Sequence, residues 1–461
     1  MADGSGKPSG AVVGGGIAGV GAAWSLRRSG YPVELFEKEP ELGGNARTFR
    51  WELPLGPVDS PVLVIAWPSQ YYHNYHALLA ELGIERTTLP ISYYVKHPEG
   101  VFCQDGTGEL EHRFAADFKR WERLIRTAGR INGSFLGRKR AASMYDFSYW
   151  NPLNVLPLYR LARLFGVSEA FWHKVFVPIH CATLITTKMK DLPAVVAPLI
   201  ESIVPLERPS EMSTWVGAPR QVFDRMTESF RDKIHTDCEI VSVRRAGGRF
   251  LLRNAAGESF DADRVVFACQ APSVLFALHE ATWLERTLLA RVQYVDELDS
   301  TFSRFQIHSD TEVFPEKERE RILSEFNTYV EVDGAGRLEC TFVLSAGNPN
   351  LKGLGQPMLV TFNSKKAIRR VQADVPLPRS NPTLGLRNLS NMLLLRRIQG
   401  KRGIHYCGSY TTPEGAHDLS FLSGLAVARA LGAAYPFDRS DAAALADYHQ
   451  MQRIMFGRVL E

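Results

Sequence analysis

Three glycines near the N-terminus have the spacing of a phosphate-binding turn. Gly14 permits a tight turn, Gly16 lets the backbone approach a pyrophosphate, and Gly19 lets the following helix pack closely on a sheet. Ile17 and Ala18 lie between the last two of these glycines and are candidate cofactor contacts, and the N-terminus of the helix that follows attracts anions. These residues therefore predict a site for the pyrophosphate of a dinucleotide.

A strand, a helix and a second strand must position these glycines. The apolar run Gly10–Val13 is typical of a buried parallel strand, residues 22–29 of a helix, and Val33–Phe36 of a second strand. Glu37 follows the second strand, 23 residues after the first glycine, where it can accept hydrogen bonds from ribose hydroxyls, and Lys38 comes next. A glycine-rich turn that binds nothing is the alternative interpretation.

A second glycine pair follows the second strand and bears on which dinucleotide is bound. Gly43 and Gly44 are succeeded by Asn45, Arg47 and Thr48. A glycine pair allows another close approach of the backbone to a pyrophosphate, and a guanidinium pairs well with phosphate oxygens. NAD-binding units do not usually need such a second element, so the pattern favours FAD.

Together these motifs resemble the FAD-binding part of flavoproteins of the amine oxidase, protoporphyrinogen oxidase and phytoene desaturase superfamily. The residues before Ser423 are most similar to the branch of predicted NAD/FAD-binding proteins. The resemblance implies that Asp59, Ser60, Pro61 and Val62 form a turn beside the flavin ring. Relatives carry a glycine where this chain has Pro61, and proline fixes φ and removes a backbone donor.

The resemblance also implies cofactor contacts in the middle and near the C-terminus of the chain. A backbone amide near Ile240 would meet the adenine, and Gly408 and Ser409 would end a strand beside the ribityl chain. Ser423 and Leu425 would lie in the closing helix, whose N-terminus points at the flavin. The cysteine-bearing segment that attaches flavin covalently in some relatives is missing, so we expect noncovalent FAD.

His417 and Asp418 are the candidate catalytic residues. They could shape the flavin edge or transfer a proton, whereas His417 could also simply cap a helix or bond a backbone carbonyl. His180 and Trp215 are candidate substrate contacts, and a buried core histidine is the alternative for His180. The 12 histidines show no metal-ligand spacing, so we expect no metal site.

The resemblance implies a composite α/β (α+β) fold. A Rossmann-type FAD-binding domain carries an inserted antiparallel-sheet substrate domain with a helical cap. We expect the FAD-binding domain in residues 1–85, 209–284 and 391–461, with a C-terminal helix in the last part. The substrate domain would comprise residues 86–208, which include the cap, and residues 285–390.

Composition excludes several classes of protein. The 461 residues are 45% apolar and 23% charged, which is ordinary for a globular protein and unlike a collagen, a coiled coil or a disordered chain. The six scattered cysteines, the lack of a secretory signal and the lack of a long apolar run predict a reduced, cytoplasmic protein.

One segment holds the whole excess of positive charge. The chain has a net charge of +4, whereas residues 119–140 carry eight Lys or Arg against one Glu. A solvated helical face is one interpretation, and peripheral contact with an anionic membrane is another. Nucleic-acid binding is not expected because no recognition module accompanies the segment. Aromatic residues between 145 and 176 could line a substrate tunnel or pack a core.

The predicted function is that of an FAD-dependent oxidoreductase, an oxidase, dehydrogenase or desaturase. It would remove a hydride from a C–H bond of a small, apolar substrate, since the cap is aromatic and the segment 302–306 lacks the lysine of amine-oxidizing relatives. Two alternatives stay open. The first is an FAD-dependent isomerase of double bonds in unsaturated fatty acids, without net redox. The second is a non-catalytic dinucleotide-binding protein.

Overall fold

The computed structural model describes residues 6–136, 151–346, 348–377, 381–413 and 415–461. Arg138, Lys139 and Arg140 of the basic segment and the aromatic residues between 145 and 150 lie outside the described residues.

The strands of the described ranges vary from two to seven residues in length. They are β1 Gly10–Val13, β2 Val33–Phe36, β3 Thr48–Leu53, β4 Gly56–Pro61, β5 Trp67–Pro68, β6 Arg86–Ile91, β7 Tyr93–His97, β8 Gly100–Cys103, β9 Ser210–Trp215, β10 Ile234–His235, β11 Ile240–Ala246, β12 Arg249–Asn254, β13 Ser259–Ala262, β14 Arg264–Phe267, β15 Arg304–His308, β16 Thr328–Val332, β17 Leu338–Val343, β18 Leu359–Phe362, β19 Val371–Pro376 and β20 Ile404–Tyr406.

The α-helices of the same ranges lie between and around these strands. They are α1 Ile17–Arg28, α2 His73–Glu81, α3 Glu109–Arg113, α4 Ala115–Leu136, α5 Leu158–Leu164, α6 Glu169–Phe171, α7 Val177–Leu184, α8 Ala197–Ile203, α9 Arg220–Thr227, α10 Ala271–Ala277, α11 Trp283–Ala290, α12 Arg319–Glu325, α13 Leu386–Leu395, α14 His417–Ala430 and α15 Ala442–Phe456.

A parallel sheet in the order β10-β2-β1-β14-β20 is assembled from the N-terminal, middle and C-terminal parts of the chain. Its central strand β1 is buried along its whole length, as expected when helices cover both faces of a parallel sheet. Helices α1 and α14 pack against each other so closely that a Cβ at Gly424 would lie 2.1 Å from the carbonyl oxygen of Ala18. The Rossmann-type architecture predicted from the sequence is confirmed.

A second sheet of seven strands has the order β19-β15-β18-β17-β16-β7-β8. Most neighbouring strands are antiparallel, as predicted, but β7 and β16 are parallel, with Tyr93 beside Thr328. This parallel pair arises because the chain leaves the sheet after β8, builds the cap and part of the first domain, and returns at β15. Strand β17 is buried at every position, so this sheet is covered on both faces.

Helices α3 to α8 form a cap whose apolar side chains face inward. In α4, Trp121 and Leu124 are buried, whereas the cations are exposed. Phe171, Trp172 and Phe176 are buried in the same core. No membrane-spanning helix is found in the described part of the chain.

Candidate functional site: a cavity between the glycine turns and the second sheet

A cavity of about 1440 Å³ joins the two sheets. At one end it is bordered by Gly16 and Gly44, and at the other by Tyr93, Thr328 and Phe342 of the second sheet. Pockets for a single drug-sized ligand span roughly 300–1,000 Å³. The cavity therefore has room for a dinucleotide and a second small molecule.

The first glycine turn borders this cavity at one position and is tightly packed at two others. Gly14 has a φ of +115°, and a Cβ there would lie 2.8 Å from the backbone of Ala268. A Cβ at Gly19 would lie 1.9 Å from the carbonyl oxygen of Gly14. A Cβ at Gly16, by contrast, would meet no atom of the described residues within 4 Å. The space beside Gly16 is thus open for a ligand, next to the N-terminus of α1, which has no side-chain cap.

The second glycine pair lies directly against the first turn. The amide of Gly43 donates to the carbonyl oxygen of Gly15 at 2.9 Å, and a Cβ at Gly44 would lie 3.4 Å from the Cα of Gly16. Gly43, Gly44 and Asn45 line the cavity. Two turns that follow different strands, β1 and β2, therefore meet at one edge of the cavity.

Arg47 and Thr48 continue from this second turn. The Arg47 guanidinium is exposed, and its Nε donates to the carbonyl oxygen of Gly44 at 3.3 Å. The Thr48 hydroxyl accepts from the amide of Arg220 at 3.0 Å, so it fastens the turn to α9.

Glu37 is buried at the end of β2 and binds the glycine turn. Its Oε2 accepts from the amide of Gly15 at 2.5 Å, and its Oε1 accepts from the amide of Glu39 at 2.9 Å. A carboxylate offers about four acceptor positions, so hydroxyl groups of a ligand can still bind it. Lys38 is exposed, and its Nζ lies 3.8 Å from the Glu39 carboxylate.

Ile240 lies close to Glu37 through the backbone that precedes it. The amide of Cys238 donates to the carbonyl oxygen of Glu37 at 2.8 Å, and β11 begins two residues later. The Ile240 side chain is buried in the core beside the parallel sheet.

The C-terminal element borders the cavity through Gly408 and Ser409, which follow β20. Gly408 has a φ of +110°, and its amide donates to the Ser423 hydroxyl at 2.8 Å. Ser423 is fully buried and donates in turn to the carbonyl oxygen of Ser420 at 2.7 Å. Ser423 thus holds the turn from inside α14, and Leu425 is buried within that helix.

His417 begins α14 and lines the cavity. The residue is half-buried because one face borders the cavity, while its Nε2 is buried and has no hydrogen-bond partner among the described residues. Its ring packs edge-on against Tyr75, with 4.8 Å between centroids. Burial lowers the pKa of His417 to about 3, so the imidazole is neutral at pH 7.

Asp418 points away from this face and is buried. Its Oδ1 accepts from the amide of Tyr75 at 2.9 Å. Asp418 therefore connects α14 to α2, and this contact is structural.

His180 and Trp215 lie in the two cores rather than on the cavity wall. His180 packs against Phe176 at 4.5 Å, both ring nitrogens are buried without a partner among the described residues, and burial lowers its pKa to about 3. The Trp215 indole donates to the Tyr75 hydroxyl at 3.0 Å and packs on Trp67 at 4.7 Å. Trp215 thus binds Tyr75, the residue against which the His417 ring packs.

Solved structures share this arrangement. Cyclohexylamine oxidase from Brevibacterium oxydans is similar with a TM-score of 0.64 and 15% identity, over 92% of this chain and 98% of that one. Putrescine oxidase with bound putrescine has a TM-score of 0.60 and 15% identity, over 92% and 99% of the two chains. The chain has the fold of these amine oxidases. The predicted superfamily resemblance is therefore confirmed at the level of the fold.

A further solved structure and a family profile are also similar to this chain. A fatty acid isomerase from P. acnes that produces CLA has a TM-score of 0.60 and 13% identity, over 92% of this chain and 98% of that one. A family profile described as an NAD(P)-binding Rossmann-like domain matches residues 12–82. No curated protein matches the sequence.

In this amine oxidase fold, residues 59–62 lie at the end of the β3–β4 hairpin. Asp59 forms an ion pair with Arg50 at 2.8 Å, and the Ser60 hydroxyl accepts from the Trp51 indole at 2.8 Å. Pro61 stands opposite Thr48 in the strand register, and Val62 is buried. The next four residues, 63–66, line the cavity.

Sequence analysis also missed a wall of the cavity in the cap. Every residue from 183 to 193 lines it, and so does Tyr72, which has a φ of +58°. These residues lie in no recognisable motif. The apolar end of α7, followed by a threonine pair and a Lys, was the sequence feature from which this wall could have been suspected.

Proposed function

We propose that the chain is an FAD-dependent oxidoreductase that removes a hydride from a C–H bond of a small, apolar substrate. One observation carries the proposal: a single cavity extends from the glycine turns to the second sheet and the cap. A cofactor bound at the turns and a substrate bound in the cap would share that space, which is the arrangement that hydride transfer requires.

The residues at the turns fit a dinucleotide. The open position beside Gly16 and the uncapped N-terminus of α1 would receive the pyrophosphate, with Gly44 approaching from the other side. Glu37 would bind a ribose, and the backbone near Ile240 would border the adenine. When bound, FAD supplies the acceptor for a hydride. None of these contacts requires a covalent bond, so we propose that FAD is held noncovalently.

The residues at the other end would orient the reactants. The N-terminus of α14, beside Gly408 and Ser409, carries a partial positive charge that stabilises negative charge in front of it. A neutral His417 adds an imidazole that can donate a hydrogen bond without bringing a full charge. Apolar side chains of the cap would exclude water from the end of the cavity where the substrate binds.

The side chains of the second sheet favour a C–H bond beside an alkene over one beside an amine. Within the described residues, the strands of this sheet contribute no lysine to the cavity wall; their residues there are Tyr93, His97, Thr328, Val332, Leu338 and Phe342. The segment 302–306, where amine-oxidizing relatives keep a lysine, lacks one as well. This is consistent with an isomerase of unsaturated fatty acids as the second candidate function.

The exposed face of α4 could still contact an anionic membrane, but only through charge. Arg123 and Arg126 are exposed, whereas Trp121 and Leu124 are buried and unavailable for insertion. Contact with a membrane through residues 119–140 therefore stays a prediction.

The visible spectrum of the purified protein tests the proposal. We expect the absorption of oxidized flavin, and its loss under anaerobic conditions on addition of an unsaturated lipid but not of an amine. Turnover without loss of colour and without an oxidant would favour the isomerase. A colourless protein that FAD cannot reconstitute would refute both, and a coloured protein that no substrate reduces would favour the non-catalytic alternative.

A further inference from the structure

The charged residues on the cavity wall are mostly paired. Lys174 lies 2.5 Å from Glu99, and Lys190 lies 3.7 Å from Glu169. Asp333, which also borders the cavity, pairs with Arg337 at 2.9 Å. The two charges of each pair largely cancel, so these pairs exert little electrostatic field on a ligand.

Three charged groups on the same wall have no partner of opposite charge among the described residues: Lys188, Arg387 and Asp191. The Arg387 Nε donates to the carbonyl oxygen of Arg291 at 3.0 Å, and neither Lys188 nor Asp191 forms an ion pair with another described residue. Two exposed cations without an acidic partner in the described part of the chain thus border the cavity, against one exposed acid. The balance favours a ligand with a negative charge.

Lys188 stands out because its backbone is fixed by a buried carboxylate. The Asp299 Oδ2 accepts from the amide of Thr187 at 2.5 Å, from its hydroxyl at 2.7 Å and from the Thr186 hydroxyl at 3.1 Å. The amide of Lys188 donates to the same Thr186 hydroxyl at 3.0 Å. Asp299 therefore orders the three residues that carry the cation.

The backbone just before the residues that Asp299 binds is strained. Ile185 ends α7 with a φ of +52°, which a β-branched residue rarely adopts. Such a conformation persists only where surrounding contacts over-determine it. The Asp299 contacts immediately downstream supply that restraint.

The remaining wall is rich in aliphatic and aromatic side chains, among them Leu63, Ile65, Ile91, Leu184 and Phe342. An apolar wall with one ordered cation complements a molecule with an apolar chain and an anionic head.

We propose that Lys188 selects an apolar carboxylic acid as substrate by pairing with its carboxylate, and that Asp299 is the positioning residue. The inference rests on the proposed function and names its substrate class. A cationic amine would be repelled by Lys188 and Arg387 unless Asp191 dominated. The two amine oxidases of similar fold thus differ from this chain in the substrate expected.

The test compares three probes of equal chain length: decanoate, decanol and decylamine. Their binding to the purified protein, loaded with flavin where it takes up flavin, is measured by calorimetry at neutral pH and low salt. We expect decanoate to bind most tightly. Lys188→Gln should weaken decanoate about tenfold or more, which corresponds to about 1.4 kcal/mol, and leave decanol unchanged.

The matched control is Lys190→Gln, which removes the same charge two residues away from a lysine already paired with Glu169. It should change decanoate binding less than about twofold. Lys188→Arg should restore most of the affinity. Asp299→Asn should weaken decanoate but not decanol, whereas a merely structural Asp299 would weaken both.

Equal losses in the Lys188 and Lys190 variants would overturn the proposal. So would tightest binding of decylamine together with its loss in Asp191→Asn. The visible spectrum separates this inference from the proposed function. If the protein binds flavin but does not prefer decanoate, only the carboxylate site is refuted. If the protein prefers decanoate but cannot bind flavin, only the proposed function is refuted.

Discussion

Replacing Gly16 by alanine should stabilise the protein without FAD and lower its affinity for FAD. The backbone at Gly16 has φ −72° and ψ 174°, which alanine adopts freely, and the new Cβ would meet no atom within 4 Å in the part of the chain that the structure describes. The substitution should therefore raise the free energy of unfolding without FAD by about 0.4–1 kcal/mol, since it restricts the unfolded chain.

The same methyl group would occupy the surface that a pyrophosphate approaches. Loss of one charge-assisted hydrogen bond costs about 1.5–3 kcal/mol, so FAD affinity should fall at least about tenfold. At an FAD concentration of 100 Kd the wild type gains about 2.7 kcal/mol from binding, and a tenfold weaker variant gains about 1.4 kcal/mol. This difference of about 1.3 kcal/mol exceeds the gain in the empty protein. The order of stabilities should reverse when FAD is added.

Urea unfolding of the Gly16→Ala variant and the wild type, each with and without FAD, measures both effects. Gly19→Ala is the matched control, because its Cβ would lie 1.9 Å from the carbonyl oxygen of Gly14 and should destabilise the protein under both conditions. Unchanged FAD affinity in Gly16→Ala, or a loss of stability without FAD comparable to that of Gly19→Ala, would refute the assignment of the pyrophosphate site.

Three further predictions concern the remaining candidate residues. Asp418→Ala should lower the free energy of unfolding by about 1–3 kcal/mol, because the amide of Tyr75 loses its acceptor, while Asp418→Asn should keep flavin reduction intact; loss of reduction at unchanged stability would favour a catalytic role. The folded-state pKa of His180 is about 3, below the value of about 6.5 in the unfolded chain. The free energy of unfolding should therefore fall as the pH falls from about 6.5 toward 4. In urea unfolding, His180→Leu should reduce this pH dependence by about 1.4 kcal/mol per pH unit. The double variant Arg123→Gln, Arg126→Gln should bind anionic liposomes more weakly by about 1 kcal/mol per charge, as measured by sedimentation, and its FAD content should be unchanged. Equal binding of the variant and the wild type would show that the cations of α4 only face solvent.

The glycine turn could be predicted from sequence because its chemistry is local. Gly14, Gly16 and Gly19 act within one turn and one helix, and the adjoining strands are short apolar runs. Helix α1 begins at Ile17, five residues earlier than predicted, because the two interior glycines of its first turns are needed for contact with the turn and with α14.

The residues beside the substrate cavity could not be located in the same way. Asp59 forms an ion pair across a hairpin, and the cavity wall is formed by residues 63–66, because the hairpin register determines which residues reach the cavity. Sequence spacing does not specify that register. Residues 285–290, which begin the second part of the predicted antiparallel-sheet substrate domain, form part of helix α11, since a capping box at Thr282 and Glu285 begins a helix there.

The sequence by itself determined the elements and the dinucleotide turns, because backbone preferences and hydrophobic periodicity act between near neighbours. The tertiary structure decided which polar groups are partnered. Asp418 binds an amide of α2, and Lys188 is ordered by Asp299 from a distant part of the chain. His417 faces the cavity with a nitrogen that no other described residue partners. Burial and hydrogen bonding depend on residues far apart in sequence, and these determine which side chains remain available for chemistry.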